Sequence, residues 1–542
     1  MRQIQRFLLG TAAVLTQLCA FGQIGTCPRP AAGSTVKNPP DLFSKRGLLT
    51  VNLAYQTSMD ADGRTLYCFT TPDGTESPTL HVRPGDRMIV KVKNELPTAA
   101  PASAMQMSTN AASVCGAGVM DASSVNLHWH GTNVSPACHS DEVIHTLINS
   151  GDTFTYDVAF PSDEPPGLYW YHPHVHGIAE PAVQGGASGA LIVDGIENIQ
   201  PAVAGIPERV LVVRDQTVAG EPEHGFDVPA WDLTLNYVPI SYPDLTPAVI
   251  STRYNQQQFW RVLNASADTI LDLKLEYDGV PQTLMLVALD GVPVGSQDGR
   301  RLGTLIPVTN MRLPPASRVE FIVRTPSRKV NSAQFLTESI NTGPQGDNDT
   351  RRVLATVVGG MTNIGTSTTP PVSGPPWQPR FSELASERVT ATRRLYFSEN
   401  DDQTQFFITV DGQTPVPFSI DSPPAIVTTQ GSVEDWIIEN RSLENHEFHF
   451  HQIHFLVLSQ DDFEVNGSRP VRAIDGQMMD MIDVPYWDGD PAHPFPRVKL
   501  RMDFRGADIG DFVYHCHILN HEDQGMMAII RVLPAASHIG HR

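Results

Sequence analysis

Three stretches of the chain share one pattern of apolar and polar positions. Leu80–Asn94 reads LHVRPGDRMIVKVKN, Ile250–Asn264 reads ISTRYNQQQFWRVLN, and Ile426–Asn440 reads IVTTQGSVEDWIIEN. In each, a turn residue (Gly85, Asn255, Gly431) stands nine positions before an Asn, with strand-like residues alternating between them. Alternation with a period of two predicts a strand with one buried face, so each copy reads as a strand, a turn and a second strand. The copies lie 170 and then 176 residues apart, which predicts three related β domains; chance alignment of a single strand-turn-strand unit is the alternative. The expected domains are 45–196, 205–364 and 381–535, with the Pro- and Ser-rich segment 365–380 as a linker before the third.

Composition agrees. A chain of 542 residues is too long for one ordinary core, and its 44 Pro and 41 Gly suit many turns between short strands. No stretch carries sustained heptads, so the chain reads as mostly β. The formal charge of -21, from 59 acids against 38 Lys and Arg, argues against nucleic acid or an anionic membrane as partner. Arg2 and Arg6 precede an apolar run from Phe7 to Phe21, with small residues before Gln23. This predicts a secretory signal over 1–22 and an exported protein, periplasmic or secreted, with a buried first helix as the alternative. The run is too short and too early for a spanning anchor.

Chemistry concentrates near the C-terminus, in His515-Cys516-His517 followed by His521 and Met526. On a strand, His515 and His517 face one way and Cys516 the other, so one tripeptide can serve two metal sites. A thiolate with two imidazoles and a weak axial thioether is the ligand set of a blue-copper centre; a buried hydrophobic Cys or half a zinc site remains open. The pattern His-x-His recurs at His128/His130, His172/His174 and His449/His451. Four such pairs, two in the first third and two in the last, are not explained by structure, because each buried neutral histidine needs a hydrogen-bond partner and has no reason to alternate. The middle third holds only His224, and so carries little metal chemistry. His446 lies three residues before His449 and therefore on the opposite face. Parity thus separates eight imidazoles from His446 and Cys516.

With Cys516 set apart for metal, Cys27, Cys68, Cys115 and Cys138 allow three pairings, and export would normally oxidise them. Cys27 with Cys68 and Cys115 with Cys138 are expected. The second pair would close a loop around His128 and His130, worth roughly 3–4 kcal/mol by chain entropy. Free buried thiols are the alternative.

HWHG at His128, WYHPHVHG at Trp170, HEFHFHQIHF at His446 and HCHILNHEDQGMM at His515 together resemble the motifs of the three-domain, laccase-like multicopper oxidases. The resemblance implies three consecutive cupredoxin-like Greek-key β-sandwiches and four copper ions. By that resemblance type 1 copper takes His446, Cys516 and His521, with Met526 axial. Type 2 copper takes His128 and His449, and the type 3 pair takes His130, His172, His174, His451, His515 and His517. Two departures stand in the third motif: Glu447 replaces the usual Pro, with a possible effect on the substrate face of the type 1 site, and Gln452 replaces a frequent Gly. His176 and His454 are set aside as neighbours of the cluster or core. His81, His139, His145, His493, His538 and His541 have no supporting pattern.

The implied reaction takes single electrons from a phenol or similar small molecule at type 1 copper and reduces O2 to water at the trinuclear site. Oxygen reduction consumes protons, so Glu522, directly after His521, and Asp141, with Glu142 competing, are the expected relays. Met478, Met479 and Met481 offer soft donors for Cu(I), which makes a cuprous or other metal-ion oxidase the alternative; core filling is the simpler reading of those three. The other class is a copper-binding protein without turnover. Sequons stand at Asn133, Asn264, Asn348, Asn440 and Asn466, and glycans at Asn133 or Asn440 would crowd metal motifs.

Overall fold

Residues 26–98, 114–116, 118–220, 228–296, 303–362, 365, 367, 377 and 380–535 are described by a computed structural model. The expected signal 1–22, most of the linker 365–380, and His224, His538 and His541 lie outside the described residues. Each of the three repeats forms a corner. Gly85, Asn255 and Gly431 all adopt the left-handed conformation, with φ of 85°, 55° and 95°, where Gly and Asn are the residues that fit. An eight-residue strand follows in every copy: Arg87–Asn94, Gln257–Asn264 and Val433–Asn440. Alternation then does what the sequence predicts, with Met88, Val90 and Val92 fully buried in the first copy.

The terminal Asn does the same work three times. Asn94 Nδ2 donates to the carbonyls of Ser123 and Ile148, while its Oδ1 accepts from Leu96 N–H. Asn264 bonds Thr269, Leu313 and Ser266 in the same way, and Asn440 bonds Glu444, Val484 and Ser442. A buried amide that fills its donors and acceptor on three backbone groups ties the strand end to two other segments. The sequons at Asn264 and Asn440 are therefore spent inside the fold. Asn133 is also buried, bonded to Glu164.

Six sheets pair into three sandwiches. In each, the corner strand lies parallel to an earlier one: Leu48–Met59 beside Arg87–Asn94, Glu208–Thr217 beside Gln257–Asn264, and Ala391–Glu399 beside Val433–Asn440. The opposite sheet of each repeats a second parallel pair, Thr79–Val82 with Gly189–Val193, Ala248–Arg253 with Arg352–Gly360, and Ile426–Thr429 with Met527–Leu533. Such non-sequential pairings are how a Greek key closes two sheets over one core. The cores carry large aromatics: Trp129 and Tyr171 in the first, Trp260, Phe321 and Phe335 in the second, Trp436, Phe450 and Tyr514 in the third. Disulfides join Cys27 to Cys68 and Cys115 to Cys138, as expected, and Cys516 is free and buried. Among the described residues no helix is long and apolar enough to cross a membrane.

Candidate metal centre

Two antiparallel strand pairs, one in the first sandwich and one in the third, turn their histidines toward each other. In the third, His446–Phe450 pairs with Gly510–Cys516, setting Phe448 opposite Cys516 and His449 opposite His515. Phe448, Phe450, Tyr514 and Cys516 enter the sandwich interior, so His449 and His515 must face out. In the first, His128–His130 pairs with Gly167–His172, setting His128 opposite His172. Trp129 and Tyr171 enter the core there, and the histidines again face out. The two outward faces meet: the His128 ring stacks on His451 at 3.9 Å and His130 on His449 at 4.0 Å.

All eight imidazoles of this interface are at most 2 % exposed. One nitrogen of most rings is anchored outward: His128 Nδ1 by Asp141 at 3.0 Å, His172 Nδ1 by the Pro173 carbonyl, His449 Nδ1 by the Asp480 carbonyl at 2.9 Å, and His515 Nδ1 by the Cys516 carbonyl. The other nitrogens point inward. His128 Nε2, His130 Nδ1, His172 Nε2, His449 Nε2 and both nitrogens of His517 have no protein partner. His515 Nε2 lies 3.1 Å from His451 Nε2 and 3.3 Å from His174 Nε2. Burial, and then the neighbouring imidazoles, holds these rings well below the ordinary histidine pKa. They are neutral, the state that offers a lone pair to a metal. Buried polar atoms left unpaired are costly, and here they converge on a few points, so the donor set fits metal ions.

A second site lies inside the third sandwich. His446 Nδ1 and His521 Nδ1 are 3.1 Å apart, and Cys516 Sγ is 3.8 Å from each. The centre of that triangle is about 2.1 Å from every corner, close to metal–imidazole and metal–thiolate distances. Ser442 Oγ holds His446 Nε2 at 2.7 Å and Glu444 approaches His521 Nε2 at 3.5 Å, which leaves both Nδ1 atoms for the centre. Burial pushes the Cys516 thiol well up, so the proton leaves only when a cation takes its place. Met526 is buried in the same core as Cys516, whereas Met527 packs on the other side against Val143 and Phe418.

The departures in the third motif have physical roles. Glu447 supplies a peptide N–H to Cys516 Sγ at 3.3 Å, which a Pro lacks. Its carboxyl is buried on the outer face of the strand, near Asp483, Arg312 and Asp349. Gln452 takes φ of 61°, which explains why Gly suits that position, and its amide donates to Asp141 at 2.6 Å.

Glu522 is fully buried, 3.1 Å from His515 Nδ1 and 3.6 Å from His174 Nδ1. His515 Nδ1 already donates to a carbonyl, so the carboxyl has no hydrogen bond from the protein. Burial, and then Asp523, raises its pKa well above the usual range. Asp141 bonds His128 directly, while Glu142 holds the exposed loop at His145 and is away from the cluster. His176 is half-buried against Phe418, and His454 bonds the Asp290 carbonyl. His139, His145 and His493 sit in surface contacts, and His81 is buried between Asp194 and Asp41. Met478, Met479 and Met481 enter three different cores, and Met479 and Met481 line a cavity together with Met311.

Sequence reasoning missed Asp480, whose carboxylate is 3.3 Å from His130 Nε2, and its partner Arg318. An acid inside the buried run Met478–Ile482 was the available signal. Helix α1 (Ala179–Gln184) lies in the first sandwich, and sequence reasoning also missed the clamps on helix α2 (Leu519–Asp523), which carries His521 and Glu522. Leu519 N–H and Asn520 N–H donate to Ala267 and Asp268 of the middle sandwich. Asp523 accepts from the N–H groups of Gly177, Ala179 and Glu180 in the first. Beside α2 a cavity of about 230 Å³ reaches His521, walled by Asp268, Asp347, Asp349 and Glu444 together with Trp231 and Phe406.

Two sequence-family models, both described as multicopper oxidase, match residues 118–198 and 389–536. The chain is 23 % identical over 460 residues to multicopper oxidase mco of Staphylococcus aureus, covering 84 % of this chain and 81 % of that protein. Among solved structures, a multicopper oxidase from Campylobacter jejuni described as a metallo-oxidase matches with TM-score 0.65 at 21 % identity, over 94 % of this chain and 96 % of that one. A laccase-like multicopper oxidase, CueO, from Ochrobactrum sp., with oxidase activity towards lignin model compounds, matches with TM-score 0.63 at 20 % identity, over 93 % and 100 %.

Proposed function

We infer that the chain is a multicopper oxidase, as its family matches and relatives support, and that it oxidises a small donor one electron at a time and reduces O2 to water with four copper ions. His446, Cys516 and His521 would hold type 1 copper, with Met526 as a further donor. His128 and His449 would hold type 2 copper, and His130, His172, His174, His451, His515 and His517 the type 3 pair. Copper would supply one-electron chemistry at the Cys516 site and oxygen reduction at the histidine cluster. The observation that carries this reading is the convergence of eight neutral, buried imidazoles beside a thiol whose two peptide neighbours belong to that set. Cys516 is joined to His515 and His517 through the backbone, so an electron needs no diffusing carrier. A storage protein gains nothing from that connection.

Burial raises the pKa of Glu522 well above the usual carboxyl range, and the side chain stands beside two cluster histidines. It is the proposed proton donor to reduced oxygen. Asp141 orients His128 through Nδ1 and fixes which nitrogen faces the cluster.

The cavity at His521 bears on the donor. Acidic side chains on its walls offer oxygens to a cation, and Glu444 presents one with no partner; burial holds Asp268 and Asp349 well above the usual carboxyl range, so a cation bound there would displace their protons. A reduced metal ion or a cationic aromatic amine is therefore the favoured donor. Trp231 and Phe406 on the same wall support the phenol reading as second. Oxidation rates of cuprous ion, ferrous ion, a cationic aromatic amine and a neutral phenol, measured side by side with O2 uptake, test both. Cation preference is expected to fall in Asp268→Asn. Copper binding without O2 uptake for any donor would overturn the enzyme reading.

A further inference from the structure

Among the described residues the middle sandwich supplies no histidine to either metal site, yet one of its side chains reaches the cluster through Asp480. Arg318 is fully buried and touches all three sandwiches. Its Nη1 and Nη2 donate to Asp480 Oδ1 at 2.7 Å and Oδ2 at 2.6 Å in the third, and its Nε donates to the Leu168 carbonyl at 3.2 Å in the first. Asp290, also from the middle sandwich, accepts from Arg318 N–H at 2.8 Å and from the N–H groups of Met481 at 3.2 Å and Asp480 at 3.4 Å. Side chain and backbone of Asp480 are thus both gripped from the middle domain.

Asp480 in turn touches two cluster histidines through different atoms. Its Oδ1 lies 3.3 Å from His130 Nε2, and its carbonyl accepts from His449 Nδ1 at 2.9 Å. In each ring the opposite nitrogen, His130 Nδ1 or His449 Nε2, is the one left unpartnered. An imidazole that donates outward through one nitrogen can offer only the other to a metal. The packing leaves no slack: at Gly131, next to His130 and at φ of 82°, an added Cβ would lie 2.2 Å from Arg318 Nη2 and 2.4 Å from Asp480 Oδ2.

We propose that Arg318, acting through Asp480, is a positioning residue for the trinuclear site, so that the sandwich without ligands sets which nitrogens His130 and His449 present. The inference rests on the assignment of those histidines to copper. A buried ion pair that served only to join domains would change the melting temperature and leave the metal untouched.

The test loads the full-length wild type, Arg318→Met, Arg318→Lys and Asp480→Asn with copper. Copper per chain, the blue absorption of the Cys516 site and the type 2 electron paramagnetic resonance signal are then measured. Arg318→Met and Asp480→Asn are expected to keep the blue absorption and to lose or shift the type 2 signal. Cluster copper should bind on the order of 10–100-fold more weakly, as for loss of an outer hydrogen-bond partner. Arg318→Lys should fall between, because an ammonium cannot fill both arms of the fork. A blue, folded Arg318→Met protein with the wild-type copper count and an unchanged type 2 signal overturns the proposal. If Arg318→Met does not fold, Asp480→Asn decides in the same way, since it keeps the side-chain volume. A wild type that binds a single copper overturns the trinuclear reading itself, whereas four coppers with unchanged variants overturn only this inference.

Discussion

The two metal sites are made in opposite ways. His446, Cys516, His521 and Met526 all come from the third sandwich, and the first three already stand at ligand spacing with their outer nitrogens pinned. The histidine cluster is assembled between sandwiches, four imidazoles from each side, and is braced by Arg318 from outside its own strands. The α2 clamps from the first two sandwiches bear on His521 as well as on Glu522, so one site takes its ligands from a single core that docking steadies, and the other exists only by docking. Anything that loosens an interface should reach the cluster first, and anything that changes the third core should reach the Cys516 site first.

The sharpest way to break this contrast is Cys516→Ser. Blue colour and oxidase turnover should vanish while the fold and some cluster copper persist, read by absorption, O2 uptake and metal analysis. A blue Cys516→Ser protein would remove the basis for two separate sites. Next in size, Glu522→Gln keeps shape but not the carboxyl proton. Reoxidation of the reduced enzyme by O2 should slow by about a hundredfold, while electron entry at the Cys516 site stays nearly constant. Stopped-flow measurement of both half-reactions separates the two, and equal slowing of both would make Glu522 an ordinary structural acid.

A pH experiment reaches the first sandwich through His81. Burial would lower the pKa of His81, but hydrogen bonds to Asp194 and Asp41 raise it to about 9. A folded pKa above the unfolded value near 6.5 means that the stabilisation is complete below pH 6.5 and is lost as pH rises through 9. At most about 3 kcal/mol is involved, all of it in the first sandwich. Alkaline titration should therefore release cluster copper before the blue colour fades, and His81→Gln should flatten that order. The smallest change is Met526→Leu, which should keep the colour and raise the type 1 reduction potential, because a weak electron donor is lost. If Met527→Leu shifts the potential instead, the C-terminal register is wrong by one residue.

The corners and the histidines were legible because each is periodic. Gly85, Asn255 and Gly431 recur at fixed distance from an Asn, and parity along two strands predicts that Cys516 and His515 part company. Ligand identity follows from residue type. What was not legible lacks a period: Arg318 and Asp480 are 162 residues apart, belong to different sandwiches, and meet only when those sandwiches dock. Glu447 lies between the two cases: its position beside His446 suggested the substrate face, and alternation on the strand sends its carboxyl toward Asp483, Arg312 and Asp349, the last of which walls the His521 cavity. The methionines of Met478–Met481 divide among three cores, while Met479 and Met481 line one cavity with Met311.

Burial of the histidine cluster also sets a clock. Eight rings with at most 2 % exposure offer no open path for a hydrated ion, so uptake by the finished apoprotein has to wait for the sandwiches to part locally. Loading then becomes a gated process: its rate should level off as copper concentration rises, at the opening rate of the interface. Copper supplied while the chain is still folding escapes that gate, so the order of synthesis and metal delivery decides how much of the protein ever becomes complete.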